Sequence, residues 1–353
     1  QFLAKYIQDT QPDIQIIGTL RHKAARKETY IFDESKIIFE MMDLADVHSI
    51  ERLIFDNKPN YMVNTAANAF VGESWKLPAS HIQYNTLGVV HQLEAIRKHS
   101  PKTRFLTLGS SEEMADAQYM PQDEKHPISP KSPYAISKAA ARYFVKVYRE
   151  SYNMYCVQPW CFNFESFLRD EKYVTRKITK GVNRIANAIK EKLPFDPIYL
   201  GNLNSKRAWQ SIDNVTDGIW RMLNQENFNP DLRYDMESAP NKWEYLTKHI
   251  KDYVISAEHS HSVREFVEKA FGVMNIEGHW VDSGDQEKLL IDNYILEEYP
   301  IKSGVLVAVS REFFRPWDVE NLIGNPQMIK NDLGWEQKTN FDQLVVSMVT
   351  HER

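Results

Sequence analysis

The sequence predicts an α/β protein: a doubly wound parallel-sheet Rossmann domain, with a smaller mixed α/β substrate-binding domain. Three observations predict it. Short β-rich runs alternate with longer amphipathic patterns from residue 14 to about 161, the rhythm of strand–helix–strand units. Those runs are nearly continuously apolar, as in strands buried on both faces. After about residue 164 the rhythm gives way to short strands and helices mixed irregularly.

In order, the expected strands are "IQIIGTL" (14–20), "KIIFEMMDL" (36–44), "YMVNTAA" (61–67), "RFLTLGS" (104–110) and "YCVQPW" (155–160). Between them "DVHSIERLIFDNK", "ASHIQYNTLGVVHQLEAIRKH" and "YAISKAAARYFVKVYRESY" space their apolar residues by three and four, and are expected as helices. "VTRKITKGVNRIANAIKEK" reads as a helix and "PIYLGN" as a strand. In "HSVREF", Ser262 three residues before Glu265 is a capping box, which makes His259 and His261 a helix approach and not a metal site. Residues 1–163 are expected to form the first domain and 164–353 mainly the second, with some segments returning to the first. Residues 226–250 stand out as an insertion.

Composition bounds the function. The 353 residues are 42% hydrophobic and 12% aromatic, without low-complexity tracts or repeats, as in an ordered globular protein. The net charge of −5 points to neither nucleic acid nor an anionic membrane as partner, so an anionic ligand must be met by local donors. No apolar stretch is long enough to span a bilayer, and "QFLAKYIQDT" lacks the layout of a signal peptide, so the expected location is cytoplasmic. Cys156 and Cys161 lack metal-ligand spacing and read as buried thiols, and no metal is expected.

Ligands of doubly wound sheets bind beyond the carboxyl ends of the strands. That places weight on "LGSSEEM" (108–114), where an apolar run ends in Ser110 with Glu112 and Glu113 behind it. Next comes "SPYAISK", with Tyr134 and Lys138 one helical turn apart. Among 17 tyrosines that spacing arises by chance; its position, opening the helix after the strand that ends in Ser110, does not. A lysine ammonium lowers the pKa of a neighbouring phenol from its ordinary value of about 10, and a serine hydroxyl can orient a substrate hydroxyl toward it. The trio suits removal of a proton from an alcohol as hydride leaves to a nicotinamide. Arg21, directly after the run 14–20 and followed by His22, Lys23 and Arg26, favours NADP over NAD, whose ribose is held by an acidic residue at that place.

Ser110, Tyr134 and Lys138 match the catalytic trio of the extended short-chain dehydrogenase/reductases. "CFNFES", "YVTRKITK", "LGNLNSKRAW", "HSVREFVEKAF" and "FFRPWDVENLIGN" resemble, in order, motifs of the GDP-mannose 4,6-dehydratase branch, and the resemblance covers essentially the whole chain. It implies a catalytic set of Ser110, Glu112, Tyr134 and Lys138. Tyr134 would take the C4 hydroxyl proton of the sugar, and Glu112 the C5 proton before water leaves from C6. It implies a GDP-sugar substrate gripped at the diphosphate by Arg207 and Arg315, lined by Asn163, Glu165, Lys177 and Glu320, with Val71 and Ser74 also in contact. On the cofactor side it implies Asp43 and Leu44 at the adenine and Ala66 and Ala67 beneath the pyrophosphate, with Tyr134 and Lys138 completing the site. Asp43 reads equally as a helix cap. A homodimer or homotetramer is implied as well.

The chain also departs from that pattern. The first strand and glycine-rich loop are not in it, and "QFLAKYI" reads as the helix that follows them, so an earlier natural start is expected. Ser110 stands for threonine, Ala66 for glycine, Phe70 for histidine and Met114 for tyrosine, and Trp160 adds bulk. Glu113, without a counterpart in the family, is expected to be solvated. Because these changes lie toward the sugar, another GDP-sugar such as a GDP-heptose stays open. So do epimerisation or ketoreduction, and a non-catalytic homologue.

Overall fold

The computed structural model describes residues 1–22, 30–292, 304–314 and 320–351; Lys23, Arg26 and Arg315 lie outside the described residues. The chain forms two compact units. One comprises 1–162, 213–256 and 324–336, the other 163–212, 257–323 and 337–353.

In the first unit every strand pair among the described residues is parallel. Strands β1 (Ile16–Leu20) and β2 (Ile37–Met41) pair with Ile16 opposite Ile37. Strands β3 (Tyr61–Asn64), β4 (Arg104–Thr107) and β5 (Cys156–Val157) form a second ladder. Strand β6 (Trp160–Cys161) pairs with Val254–Ile255. Parallel strands need long crossovers: α2 (Val47–Asn57) lies between β2 and β3, α3 (Gly88–His99) between β3 and β4 and α4 (Pro133–Tyr152) between β4 and β5, while α1 (Phe2–Thr10) precedes β1.

The run 14–20 ends with its strand at Leu20, but the runs 36–44, 61–67 and 104–110 outlast theirs, which end at Met41, Asn64 and Thr107, so Asp43, Leu44, Ala66, Ala67 and Ser110 lie in the turns that follow. Burial separates the strands. β4 is buried over three of its four residues, as its apolar run predicts. β1 and β2 are only half-buried, with Ile38 exposed; among the described residues β2 pairs with β1 alone. Ile50 and Ile54 of α2, Leu93 and Ile96 of α3, Phe105 of β4 and Val145 of α4 form the core between helices and sheet.

Local chemistry sets the helix ends. The Asp46 carboxylate accepts from the His48 amide at 3.0 Å to start α2, and Ser132 accepts from the Ala135 amide at 3.1 Å to start α4. Pro133 follows as the first helical residue, where its missing N–H costs nothing. The segment 226–250 folds within this unit as helices Gln225–Phe228, Pro230–Ser238 and Lys242–His249, the last two capped by Asn229 and Asn241.

The second unit contains β7 (Phe164–Glu165), α5 (Val174–Lys190), β8 (Ile198–Leu200), β9 (Lys206–Arg207) and β10 (Gln210–Ser211). Later segments add β11 (His261–Ser262), α6 (Val263–Val273), β12 (Gly278–Val281), β13 (Lys288–Ile291), β14 (Val305–Val309), β15 (Asn321–Leu322) and α7 (Phe341–Thr350). A mixed sheet runs β12–β13–β14–β8, a second β11–β9–β15, and β10 pairs with β7. Ile178, Val182 and Ile185 pack with Phe266, Val267, Leu344 and Val345, and Trp209 meets Phe266 and Phe341. The Ser262–Glu265 capping box forms as expected, and the His261 ring stacks on Phe341 at 3.8 Å. Among the described residues no three His, Cys, Asp or Glu side chains converge as metal ligands, and no helix is long and apolar enough to cross a membrane. Cys156 and Cys161 are buried free thiols.

Candidate active site

The end of β4 and the start of α4 build the site. Ser110 opens a short 3-10 turn, Ser111–Met114, and its hydroxyl accepts from the Glu112 amide at 3.2 Å. Glu112 is half-buried on that turn. Tyr134 lies in the first turn of α4 and Lys138 one turn later; Ser110, Tyr134 and Lys138 keep 8, 8 and 6% of their surfaces exposed. The Lys138 ammonium donates to the Leu108 carbonyl at 2.8 Å, tying α4 to the end of β4. Burial pushes the Lys138 pKa down to about 8, the Glu113 carboxylate and Cys161 opposing that and Arg142 adding to it.

Glu113 is not solvated. It is fully buried and accepts from the Ser110 amide at 2.8 Å, from Arg142 Nε at 2.5 Å and from Gln158 Nε2 at 3.2 Å. The turn rotates this side chain inward, where a guanidinium neutralises it. Arg142 continues the helical face of Tyr134 and Lys138 by one more turn, and its guanidinium lies 3.5 Å from the centre of the Trp160 ring. The bulk of Trp160 thus covers an arginine. Gly109 is required here: a Cβ would sit 2.3 Å from the Pro159 carbonyl oxygen and 2.8 Å from Glu113 Oε1.

Asn85 also escaped sequence reasoning. Its carboxamide accepts from the Asn68 amide at 2.8 Å and donates to the Asn68 carbonyl and the Ser137 hydroxyl, both at 3.0 Å. It joins the loop after β3 to α4, and lies in a π-helical turn, Ile82–Leu87, a distortion that often marks functional sites. Its only advance signal was a polar residue on the apolar face of "HIQYNTLGVV".

On the cofactor side, Arg21 follows β1, pairs with Asp43 at 3.5 Å and stays 64% exposed, so its fork keeps donors for a phosphate. Asp43 is not the helix cap, which is Asp46; its carboxylate instead accepts from the Ala45 amide at 2.9 Å and shapes the turn after β2. Leu44 is buried against Gly88. Ala66, exposed beyond β3, donates its amide to Asn64 Oδ1 at 3.1 Å, and half-buried Ala67 follows. Small side chains there leave backbone open to a pyrophosphate, so these residues fit a dinucleotide. Val71 and Ser74 bound the short helix Val71–Ser74, in which Ser74 donates to the Val71 carbonyl at 2.6 Å.

The residues from Asn163 onward that the resemblance implies for the sugar nucleotide lie in the second unit. Asn163 is half-buried, and its side-chain oxygen has no hydrogen-bond partner among the described residues. Glu165 is buried, accepting from Thr175 at 2.9 Å and pairing with Arg169 at 3.2 Å; burial pushes its pKa up, against the pull of Arg169. Lys177 lies 3.3 Å from the centre of the Phe313 ring, and burial lowers its pKa. Arg207 is buried in β9 and pairs with Leu322, while the neighbouring Lys206 amide donates to the carbonyl of exposed Glu320 at 2.7 Å.

A parallel α/β sheet that delivers a hydroxyl from one strand end, and a Tyr-Lys pair from the following helix, defines the extended short-chain dehydrogenase/reductase class. In that class, UDP-glucose 4-epimerase of Thermus thermophilus, solved with NAD, superposes with a TM-score of 0.69 at 18% identity, covering 99% of this chain and 94% of that one. A dTDP-glucose 4,6-dehydratase of Bacillus anthracis, also with NAD, gives 0.69 at 17% identity, covering 99 and 91%. The family described as GDP-mannose 4,6 dehydratase matches residues 3–239 and 231–348. GDP-mannose 4,6-dehydratase of Vibrio cholerae serotype O1 is 32% identical over 314 residues, covering 88% of this chain and 77% of the relative. The Dictyostelium discoideum enzyme of that name is 34% identical over 313 residues, covering 88 and 78%. The chain belongs to the GDP-mannose 4,6-dehydratase family.

Proposed function

We propose that this protein converts GDP-mannose to GDP-4-keto-6-deoxymannose. The observation that carries the reading is the set at the end of β4: Ser110 and Glu112 on one turn, Tyr134 and Lys138 on the helix that the Lys138–Leu108 bond ties to it. Tyr134 takes the proton of the C4 hydroxyl while the Ser110 hydroxyl holds that oxygen. Lys138 stabilises the phenolate by its charge. The ketone at C4 acidifies C5, and Glu112 removes that proton. The C6 hydroxyl then leaves as water with that proton returned to it, and C5 takes the proton held by Tyr134 as C6 is reduced. A carboxylate two residues beyond the serine is what gives elimination rather than simple C4 oxidation.

A nicotinamide cofactor, when bound, accepts the C4 hydride and returns it to C6. Arg21 supports NADP as its form, through pairing with a 2′-phosphate, and Asp43, Leu44, Ala66 and Ala67 are the residues we assign to hold it. The dinucleotide is assigned to the first unit. Val71 and Ser74 of that unit, and Asn163, Glu165, Lys177, Arg207, Arg315 and Glu320 of the second, are assigned to the sugar nucleotide. The Asn163 side-chain oxygen, without a partner among the described residues, supports this, since a buried acceptor without a donor costs about 1–3 kcal/mol until a ligand satisfies it.

We infer a cytoplasmic homodimer or homotetramer. Buried free thiols suit a reducing compartment. The α4 face opposite Tyr134 and Lys138 exposes Ile136, Tyr143, Phe144 and Val147 in one apolar stripe, which supports self-association. Light scattering would read the count.

The deciding test is incubation with GDP-mannose and catalytic NADP in deuterated water, with the product read by mass spectrometry. Loss of one water with deuterium at C5 is expected. An unchanged sugar would refute the substrate assignment and direct the same assay to GDP-heptoses.

A further inference from the structure

We propose that Glu113 is a positioning residue for the reacting set, holding the turn that carries Ser110 and Glu112 in register with the helix that carries Tyr134 and Lys138. The inference rests on the reading of those four residues given above.

One buried carboxylate meets three parts of the chain. It accepts from the Ser110 amide at 2.8 Å, from Arg142 Nε at 2.5 Å and from Gln158 Nε2 at 3.2 Å. Arg142 passes the connection on, donating to the Gln158 carbonyl at 2.6 Å and the Pro159 carbonyl at 3.3 Å. The same Gln158 amide nitrogen donates to the Lys138 carbonyl at 3.1 Å, closing the loop between helix, strand end and turn. Tyr134, Lys138 and Arg142 occupy one helical face at successive turns, so fixing Arg142 fixes the azimuth of the other two.

Stability alone gives little reason for such a pair. Buried ion pairs replaced by apolar groups of similar volume are often neutral or stabilising. The pair instead supplies direction, because a carboxylate accepts an amide and a guanidinium at once, where an apolar side chain accepts neither. It also balances charge. The groups facing Lys138 are Glu113 from the turn, Cys161 from β6 and Arg142 from its own helix, with Asp252 behind Arg142 at 3.6 Å. Neutralising Glu113 removes the carboxylate facing Lys138 and leaves Arg142 opposed only by Asp252 at 3.6 Å, which favours loss of the Lys138 proton.

Glu113→Gln keeps the volume and one acceptor for the Ser110 amide and removes the charge. The expected result is a kcat lower by about tenfold to a hundredfold, the scale of small misplacements of reacting groups, with KM for the sugar nucleotide unchanged within a factor of about three. The alkaline limb of the pH profile should move to lower pH. The apolar double variant Glu113→Leu/Arg142→Leu should keep the thermal midpoint and show the same low kcat. Wild-type kcat and pH profile in Glu113→Gln, or a kcat loss that only follows a falling midpoint, would overturn the proposal. Should the wild-type protein not turn over GDP-mannose, the functional reading fails by itself. The positioning role is then decided without substrate, by titrating carbon-13-labelled Lys138 by NMR. A lower Lys138 pKa in Glu113→Gln supports it, and an unchanged one overturns it.

Discussion

Lys138 donates to the backbone carbonyl of Leu108 at 2.8 Å, so the lysine assigned to activate Tyr134 is also the bond between α4 and the strand that delivers Ser110. With a pKa pushed down to about 8 by burial, it loses its charge within an accessible pH range. Because the ammonium is the useful form, kcat is expected to fall as pH rises through about 8, measured as a pH–rate profile.

The same shift has a stability sign. Between about 8 and Lys138's ordinary value near 10.4 the unfolded chain binds more protons than the folded one, so this group makes the free protein more stable as pH climbs through that window. Below pH 8 the buried charge costs about 3 kcal/mol. Lys138→Met should therefore abolish turnover while leaving the thermal midpoint of the free protein at pH 7 level with wild type or above it, by calorimetry.

Glu112 and Glu113 are adjacent and opposite in environment, which makes them separable. Glu112→Gln should leave C4 oxidation intact, seen as reduced nicotinamide in a single turnover, and lower C5 deuterium exchange by about a hundredfold or more. Equal loss of both steps would reject Glu112 as the C5 base.

Arg21 is expected to discriminate cofactors. Arg21→Ala should weaken NADP binding by about tenfold to a hundredfold and leave NAD within a few-fold, by fluorescence titration, since only the phosphate needs the guanidinium fork.

Gly109→Ala should destabilise the protein by about 1–3 kcal/mol in chemical denaturation, because its Cβ would meet the Pro159 carbonyl oxygen at 2.3 Å and the Arg142 guanidinium at 2.6 Å.

The strands and main helices were legible because apolar period is a local signal, and the cap at Ser262 because its partner is three residues away. Glu113 was not legible. A carboxylate in a polar turn reads as solvated, and its partner Arg142 lies 29 residues on. The signal that could have found it was in α4: Arg142 sits on the buried stripe with Ala141 and Val145, where a charge implies an opposite charge facing it. The half-exposure of β1 and β2 was equally hidden, since apolar runs show composition and not how many faces are covered.

The segment 226–250, expected as an insertion, has two ends of different character. At its start and finish Gln225 and Lys251 exchange hydrogen bonds at 2.8 and 2.9 Å, clamping entry to exit. One residue later Asp252 binds Arg149 through both oxygens at 3.0 Å and accepts from the Gln158 amide at 2.8 Å, and then Val254 enters the ladder beside Trp160. Between those terminals Glu226 pairs with Arg104 and Trp243 donates to the Asn153 carbonyl at 3.2 Å, so the segment is fastened along its length. A slip of a single residue at 251–254 would carry Asp252 away from the back of the helix that presents Tyr134 and Lys138.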